Sequence, residues 1–243
     1  MAGHNKWSQI KHKKAKTDAQ RGKLFTKVTR ELTMAAKLGG ADPDMNARLR
    51  LAIQKAKEAN MPNDNISRAI EKGAGGADDS SMEEIQYEAY GVAGVAFLID
   101  TLTDNRNRTV SNIKAILTRA NGTLASQGAV AYLFDQKGVI ICSIGSDEDN
   151  VMTVALEAGA EDVLTEEDGS IVVTTDPSSF ESVRTALDAA GITLEASEIS
   201  RVAQTTVKLS GEDAKSILNL QEKLEEDDDV QDVYGNYELV DGE

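Results

Sequence analysis

Apolar residues recur every three or four positions in the first third of the chain, which is the spacing of amphipathic helices. In the first of these stretches the recurring residues are Leu24, Val28, Leu32 and Ala35. Gly39 and Gly40 end that helix, and a turn at Pro62 separates a second helix from a third. Three short helices with interlocking apolar stripes predict a small helical bundle.

The rest of the chain alternates short apolar runs, which are typical of strands, with stretches of helical spacing. Residues 135–202 have the order strand, helix, strand, strand, helix, strand, which is that of the ferredoxin-like split motif. The last segment, 203–243, offers a strand, a helix and a strand over 230–239, without partners of their own. We therefore expect this segment to return and pair with 85–134, whose last strand is predicted over 129–134.

Together these patterns predict an α+β fold. An N-terminal three-helix domain is followed by two α/β domains, of which one is ferredoxin-like (βαββαβ) and inserted in the other. The predicted domains are residues 1–76, residues 77–134 joined to 203–243, and residues 135–202. A stretch rich in Gly, Ala, Asp and Ser without periodicity, 71–84, indicates a linker at the first boundary.

Charge divides the chain at the same boundary. The protein carries 26 Lys and Arg against 41 Asp and Glu, for a net charge of -15. Residues 1–76 nevertheless hold 16 basic and 7 acidic residues, a net of +9, which leaves -24 for the remainder. Net charge alone would argue against a nucleic-acid partner, whereas a cationic first domain on an acidic body is typical of a phosphate-binding end.

The basic residues near the N-terminus are candidate ligands for nucleic-acid phosphates, because each Lys or Arg can neutralise a phosphate and release a counterion. We expect residues 1–16 to form an arm, in which Trp7 either stacks on an unpaired base or anchors the arm to the bundle. An ordinary solvated surface is the alternative for any single lysine. The candidate nucleic-acid-binding residues in this region are His4, Lys6, Trp7, Lys11, His12, Lys13, Lys14, Lys16, Arg21, Lys23, Lys27 and Arg30.

The turn between the second and third helices has the pattern of a helix-turn-helix. In that arrangement Asn63, Asn65 and Arg68 would face the base edges of DNA. Many helical hairpins share this pattern and bind no nucleic acid, so the pattern by itself does not assign a recognition helix.

A second cationic site is predicted where a strand ends and a helix begins, in the segment TDNRNRT (103–109). Asn105 or Asn107 can cap the helix, and Arg106 and Arg108 lie where an anion meets the amide end of the helix dipole. These two arginines are therefore candidate nucleic-acid-binding residues. The alternative is that they pair with neighbouring acids such as Asp104.

Enzymatic and metal-binding patterns are missing from the sequence, which holds no GxGxxG, P-loop, HExxH, GxSxG or CxxC motif. Cys142 lies in an apolar run and is predicted to be an inert core thiol. The acids of 225–229 are contiguous at the end of a predicted helix, so they cannot direct their oxygens to one metal ion. We interpret them as a solvated surface, and we predict no catalytic activity, metal, cofactor or small-molecule substrate.

The compartment follows from similar arguments. A lone cysteine suits a reducing environment, and no apolar run approaches the ~18 residues of a membrane span. The N-terminus lacks the apolar segment of a secretory signal. The sequence therefore predicts a cytoplasmic protein without a membrane partner.

Four segments of the sequence resemble the most recognisable blocks of the YebC/PmpR family, which also includes the mitochondrial translational activator of cytochrome c oxidase. They are MAGHNKW, IKHKKAKTDAQRGKLFTK, RLRLAIQKAKEANMPNDNISRAIEKG and LTDNRNRT. The resemblance runs through essentially the whole chain and implies a helical N-terminal domain and two α/β domains, one set into the other. Carried over by position, the family signatures fall on Gly3, His4, Lys6, Trp7, Lys11, Lys14, Arg21, Gly22, Lys23, Lys27, Asn105, Arg106, Asn107 and Arg108.

The resemblance also implies a function. The family is usually described as probable transcriptional regulators that bind DNA, and members are also described as translation factors that act at the ribosome, including on stalls at proline-rich sequences. The sequence departs from the family pattern at Asn5, where Ser is typical. It departs again in YEAYGVAG (87–94), where a Gly followed by a Pro-Gly turn is expected.

Three functions stay open on the sequence. They are a DNA-binding transcriptional regulator, a translation factor that binds rRNA or tRNA on the ribosome, and a protein-interaction module whose acidic body contacts a basic partner. Charge favours the first two, but lysine does not distinguish the phosphates of DNA from those of RNA. The sequence has neither a clear recognition helix nor an aromatic platform of the RNA-recognition-motif type.

Overall fold

The computed structural model describes residues 21–75, 82–166 and 168–240. In chain order its helices and strands are α1 (Arg21–Gly39), α2 (Ala47–Glu58), α3 (Asn63–Ala74), β1 (Glu83–Tyr90), β2 (Ala96–Thr103), α4 (Arg106–Arg119), β3 (Thr123–Leu124), β4 (Phe134–Cys142), α5 (Glu148–Glu157), β5 (Ala160–Thr165), β6 (Ile171–Thr175), α6 (Phe180–Ala189), β7 (Leu194–Ala203), β8 (Val207–Leu209), α7 (Gly211–Glu225), β9 (Val230–Gly235) and β10 (Tyr237–Leu239).

The chain folds into two compact units. Among the described residues, the first unit takes the chain up to Gln127 together with 215–233, and the second unit takes 128–214 together with 234–240. The division of the chain into the three domains 1–76, 77–134 with 203–243, and 135–202 stays a prediction.

The three predicted helices form a bundle in the first unit. Leu32 of α1 and Leu49 and Ala56 of α2 are fully buried in one apolar cluster with residues of α3. Asn46 fixes the turn between α1 and α2, because its side-chain amide donates to the carbonyl oxygens of Ala35 and Gly40 while its oxygen caps the Leu49 amide. The N-terminal three-helix domain predicted from the periodicity is confirmed.

A four-stranded sheet completes the first unit, in the order β3-β1-β2-β9. β1 and β2 form an antiparallel hairpin, and β9 lies beside β2, where the Leu102 amide donates to the carbonyl oxygen of Asp229 at 2.8 Å. Within the segment beyond residue 203, β9 therefore returns to the earlier strands as the pattern predicts, whereas β8 and β10 pair with each other.

The second unit contains the ferredoxin-like motif. Strands β4 to β7 pair antiparallel throughout in the order β5-β6-β4-β7, with α5 and α6 as the two connecting helices. Gly138 in β4 permits the approach of α6, because a Cβ atom there would lie 2.6 Å from the Phe180 ring. This motif falls in the chain between β3 and the returning β9, so the inserted α+β arrangement is confirmed.

Two predicted strands differ from the observed ones. The strand expected over 129–134 does not form, because Ala131–Leu133 make a short 3₁₀ turn and Phe134 already begins β4 of the ferredoxin-like sheet. The strand expected over 230–239 is interrupted at Asn236, where the backbone carbonyl accepts from the Val207 amide. The interruption lets β9 join β2 in one sheet while β10 pairs in parallel with β8 in another.

The β1–β2 hairpin turn is the site of the departure from the family pattern at 87–94. Ala93 adopts φ +56°, in the left-handed region, and is followed by Gly94 at φ +76°. A Cβ atom in this region is crowded against the carbonyl oxygen, which costs an L-residue roughly 1–2 kcal/mol. Ala93 is solvent-exposed, so nothing but the turn itself holds this conformation.

We expect Ala93→Gly to raise the free energy of unfolding by about 0.5–1 kcal/mol, since glycine removes the steric cost but loses some backbone entropy. Urea denaturation of the two proteins measures the difference. Ala115→Gly, an exposed site in the middle of α4, is the matched control and should lose about 1 kcal/mol. Equal losses at both positions would contradict a strained turn.

Candidate nucleic-acid interface

Most of the predicted N-terminal phosphate ligands lie outside the described residues. These are His4, Lys6, Trp7, Lys11, His12, Lys13, Lys14 and Lys16. Arg21 begins α1, but its side chain also lies outside the described part of the structure. The assignment of these residues to nucleic-acid binding stays a prediction.

The three cations predicted on α1 lie on one face of that helix and contact the C-terminal end of α7. The Lys23 Nζ donates to the carbonyl oxygen of Glu226 at 3.0 Å, and the Lys27 Nζ donates to that of Glu225 at 2.6 Å. The Arg30 Nη1 donates to the carbonyl oxygen of Asp228. We call Lys23, Lys27 and Arg30 the α1 cationic stripe, and we call residues 225–229 the acidic loop.

These contacts give the acidic loop a structural role that the sequence does not reveal. The last carbonyl groups of a helix have no partner within the helix, and a cation near them is favourable. Five consecutive acids at that position oppose the helix dipole. The α1 cationic stripe compensates both effects, because it supplies donors to the carbonyl oxygens and positive charge beside the carboxylates.

Asp229 is the one acid of the loop that is buried, with 3% of its side chain exposed. Its Oδ1 accepts from Arg30 Nη1 at 3.0 Å, and its Oδ2 accepts from Arg108 Nη2 and from the Thr109 hydroxyl, each at 2.8 Å. Burial by itself would raise the pKa of this carboxyl, but the hydrogen bonds from Arg108 and Thr109 and the charges of Arg108 and Arg30 lower it below its ordinary value. Asp229 is therefore ionised and joins α1 to α4.

The segment before α4 is held by local side-chain hydrogen bonds. The Thr103 hydroxyl accepts from the Asn105 amide at 2.9 Å, and the Asn105 Oδ1 accepts from the Arg108 amide at 3.0 Å. Asn105 is therefore the N-cap of α4, one of the two candidates that the sequence offered.

The two arginines of this segment have different surroundings. Arg108 pairs with Asp229 and also with Asp104, at 2.8 Å in each case, so the structural alternative considered for the pair describes Arg108. Arg106 is exposed and has no hydrogen bond or ion pair with another residue of the described chain. Arg106 is the arginine that remains available to an external anion.

Several other cations of the bundle are also engaged within the first unit. Arg48 donates to Glu31 at 2.7 Å and also contacts Glu84, and the hydrogen bond to Glu31 raises the Arg48 pKa above its ordinary value. Arg68 donates to the Asn65 side chain at 2.5 Å and to the backbone of its own helix. In this conformation the helix-turn-helix candidates Asn65 and Arg68 therefore bond to each other.

Lys55 and Lys57, near the end of α2, are exposed and have no side-chain hydrogen bond or ion pair to any residue that the structure describes. With Arg106 they form the set that we call the exposed cations. Each of these three side chains can meet an external polyanion without first leaving a hydrogen-bond or ion-pair partner in the described chain.

The sheet of the ferredoxin-like motif offers no stacking platform in the described residues. The face of β4, β6 and β7 that carries Val139, Ile141, Val172 and Val202 is aliphatic and buried. An RNA-recognition motif requires exposed aromatic side chains on its sheet. The described face of this sheet is therefore not a platform of the RNA-recognition-motif type.

The described ranges carry no sign of a metal site or a membrane span. They hold no group of three or more His, Cys, Asp or Glu residues that is placed to bind a metal ion. Cys142 is fully buried, and burial raises the pKa of its thiol to about 11. None of the described helices is long and apolar enough to span a bilayer.

Sequence reasoning missed Asp229. Asp229 is the last of five consecutive acids, and no feature of the sequence around it distinguishes it from its solvated neighbours. Its partners Arg30 and Arg108 lie 199 and 121 residues away. No local signal indicates such a pairing.

The fold and charge distribution define an α+β protein with a cationic helical N-terminal part, an inserted ferredoxin-like motif and an acidic remainder. Residues 5–76 match the family described as "TACO1/YebC protein N-terminal domain", and residues 82–237 match "TACO1/YebC second and third domain". The chain belongs to the TACO1/YebC family.

Named relatives cover nearly the whole chain. A "Probable transcriptional regulatory protein" of Geobacter sp. (strain M21) is 51% identical over 243 residues, which is 100% of this chain and 98% of the relative. A protein of the same name from Trichlorobacter lovleyi is 54% identical over 98% of this chain and 96% of its own. A solved structure, that of a conserved hypothetical protein from Aquifex aeolicus, matches with a TM-score of 0.83 and 42% identity over 93% of each chain.

We expect Asp229→Asn to lower the free energy of unfolding by about 3 kcal/mol, because the variant cannot form the buried ion pairs with Arg30 and Arg108. Since the folded pKa of Asp229 lies below the unfolded value of about 3.9, its contribution is present above that pH and is lost as the pH falls through the folded pKa. Urea denaturation between neutral and acidic pH measures both effects. Asp228→Asn, at the exposed neighbour, should change stability by less than about 0.5 kcal/mol, and an equal loss there would contradict the assignment.

Because the two arginines have different surroundings, we expect their replacement to have different effects on the stability of the protein. Arg108→Ala should destabilise the protein by about 2 kcal/mol, since it removes charge-assisted hydrogen bonds to a buried carboxylate. Arg106→Ala should leave the melting temperature unchanged, since Arg106 has no hydrogen bond or ion pair in the described chain. Thermal denaturation followed by circular dichroism compares the two, and a large drop for Arg106→Ala would show that this residue is structural.

Proposed function

We propose that the protein is a non-enzymatic regulator that binds nucleic acid through its N-terminal part, and specifically a DNA-binding transcriptional regulator. The single observation that carries this proposal is the charge division, a net of +9 in residues 1–76 against -24 in the remainder. The name "probable transcriptional regulatory protein" of its relatives is consistent with it. The proposed location is the cytoplasm, and no cofactor or membrane partner is required.

The proposed contact surface combines the predicted N-terminal ligands, from His4 to Arg21, with the exposed cations. Lysine and arginine side chains that neutralise phosphates release condensed counterions, and this term drives association without regard to base sequence. The acidic remainder repels a polyanion at short range. Binding should therefore use one face of the molecule and weaken steeply as salt is raised.

A second candidate is a translation factor that binds rRNA or tRNA on the ribosome through the same surface. The observation that favours it is the hydrogen bond between Arg68 and Asn65, which engages the side chains that a recognition helix would present to base edges. A surface that contacts phosphates without reading bases suits folded RNA as well as DNA. In the third candidate, a protein-interaction module, the acidic body binds a basic partner and the N-terminal part is a tether.

One experiment tests the proposal and separates the candidates. Lys11, Lys13, Lys14 and Lys16 are changed together to Gln, and binding to a panel of duplex DNAs and to ribosomes is measured across salt concentrations. On DNA the slope of log affinity against log salt should fall by about 0.9 for each phosphate that the variant no longer neutralises. The matched control changes four cations of the acidic remainder to Gln, namely Lys114, Arg119, Arg201 and Lys208, and should leave the slope unchanged.

The outcomes are distinct. Sequence-dependent DNA binding that weakens in the lysine variant supports the transcriptional regulator. Sequence-indifferent DNA binding together with ribosome binding that survives physiological salt supports the translation factor. If neither DNA nor ribosomes bind the intact protein, or if the lysine variant and its control behave alike, nucleic-acid binding by the N-terminal part is wrong.

A further inference from the structure

The α1 cationic stripe has two possible anionic partners. Within the molecule its three side chains donate to carbonyl oxygens of the acidic loop and to Asp229. A nucleic acid bound to the N-terminal part would present phosphate oxygens to the same donors. A given ammonium group that is held by a loop carbonyl is not free to neutralise a phosphate.

We propose that the acidic loop is an internal competitor of nucleic acid, so that it occupies the α1 cationic stripe in the free protein and is displaced from it by phosphates in the complex. The inference rests on the proposed function. It adds an autoinhibitory contact, which lowers the affinity of the free protein for polyanions and favours ligands whose phosphates can reach α1.

The contacts differ in how easily they can be exchanged. Lys23 is exposed, and Lys27 is half-buried, and each reaches the loop through a flexible stem that ends in a hydrogen bond to a backbone carbonyl. Such bonds contribute little net stability, because water or another acceptor can replace the carbonyl. The two lysines can therefore change partner by side-chain rotation alone, without a movement of the helices.

Arg30 is the more firmly held member of the stripe. It contacts both the Asp228 carbonyl and the buried carboxylate of Asp229, and 25% of its side chain is exposed. If Arg30 leaves, Asp229 keeps its bonds to Arg108 and Thr109. Release of the stripe therefore does not require the β2–β9 pairing or the start of α4 to be disrupted.

The charges of the loop make the competition effective. The loop carries five carboxylates, and the backbone carbonyls of three of its residues, together with the Asp229 side chain, hold the α1 cationic stripe. Carboxylates attract a nearby cation and repel an approaching phosphate. Removing loop charge should therefore both loosen the lysines and reduce the repulsion of nucleic acid.

The first test changes the loop without touching the buried carboxylate. Glu226→Gln with Asp228→Asn removes two negative charges from the loop. Asp228 is exposed, and Glu226 Oε2 accepts from Lys223 on α7 at 2.9 Å. Glu148→Gln with Asp149→Asn, at exposed positions in the first turn of α5, gives the same change in net charge outside the loop. Binding to a short duplex DNA of mixed sequence is measured across salt concentrations.

We expect the loop variant to bind at least about three-fold more tightly than the α5 control, with a salt slope that is steeper by up to about 0.9 for each lysine that becomes available. The second arm adds Lys23→Gln with Lys27→Gln to the wild-type protein and to the loop variant. In the wild type each new phosphate contact of these lysines is offset by the loop contact that it replaces, so their removal should change the DNA affinity little. In the loop variant, the same two lysine changes should abolish most of the increase in DNA affinity. The effects of the loop changes and the lysine changes would then be non-additive.

Equal decreases in affinity from the lysine changes in both backgrounds, or equal increases in the loop variant and the α5 control, would overturn the proposal. A readout without nucleic acid separates this failure from a failure of the proposed function. Amine-reactive labelling followed by mass spectrometry should modify Lys23 and Lys27 more slowly than Lys55 and Lys57. The loop variant should reduce this difference, because it removes charge beside the backbone carbonyls that hold the two lysines. Equal labelling of all four lysines in the wild type would show that the loop does not hold the stripe.

Discussion

The first unit depends on a carboxylate that is kept away from water. An ionised side chain in this position is stable only when cations and hydroxyl groups satisfy its oxygens. For Asp229, these groups come from two different helices and are Arg30, Arg108 and Thr109. The Asp229 backbone carbonyl in turn accepts from the Leu102 amide, near the end of β2. One residue thereby connects α1, the start of α4 and the returning strand β9.

The burial of Asp229 also divides the positive charges of this protein into two groups with different roles. By composition the cations of α1 are indistinguishable from those of the N-terminal segment, and both add to the excess of +9 in residues 1–76. In the structure, however, the α1 cationic stripe neutralises the end of α7, whereas Lys55, Lys57 and Arg106 have no hydrogen-bonded or ion-paired partner among the described residues. A strongly acidic molecule thus uses part of its cationic end to stabilise its own fold.

The helices of the bundle and the βαββαβ order were predictable because each follows from residues close together in the sequence. Asn105 as a cap was predictable for the same reason, since the cap and the amide that it accepts from are three residues apart. The strand over 129–134 was predicted wrongly, and the strand over 230–239 was predicted wrongly in its extent. An apolar run shows that a segment is buried, but it does not show where a 3₁₀ turn or a change of sheet interrupts it.

The sequence by itself determined the N-terminal three-helix domain, the ferredoxin-like split motif and the opposite charges of residues 1–76 and the remainder. These follow from periodicity, element order and charge counts, which are local or additive properties. Only the tertiary structure decided which cation meets which acid. Arg108 has a buried partner and Arg106 has none in the described chain, although they stand two positions apart. Arg30 and Asp229 are separated by 199 residues, and a pairing over that distance exists only once the chain has folded, because the path of the backbone brings the two side chains together.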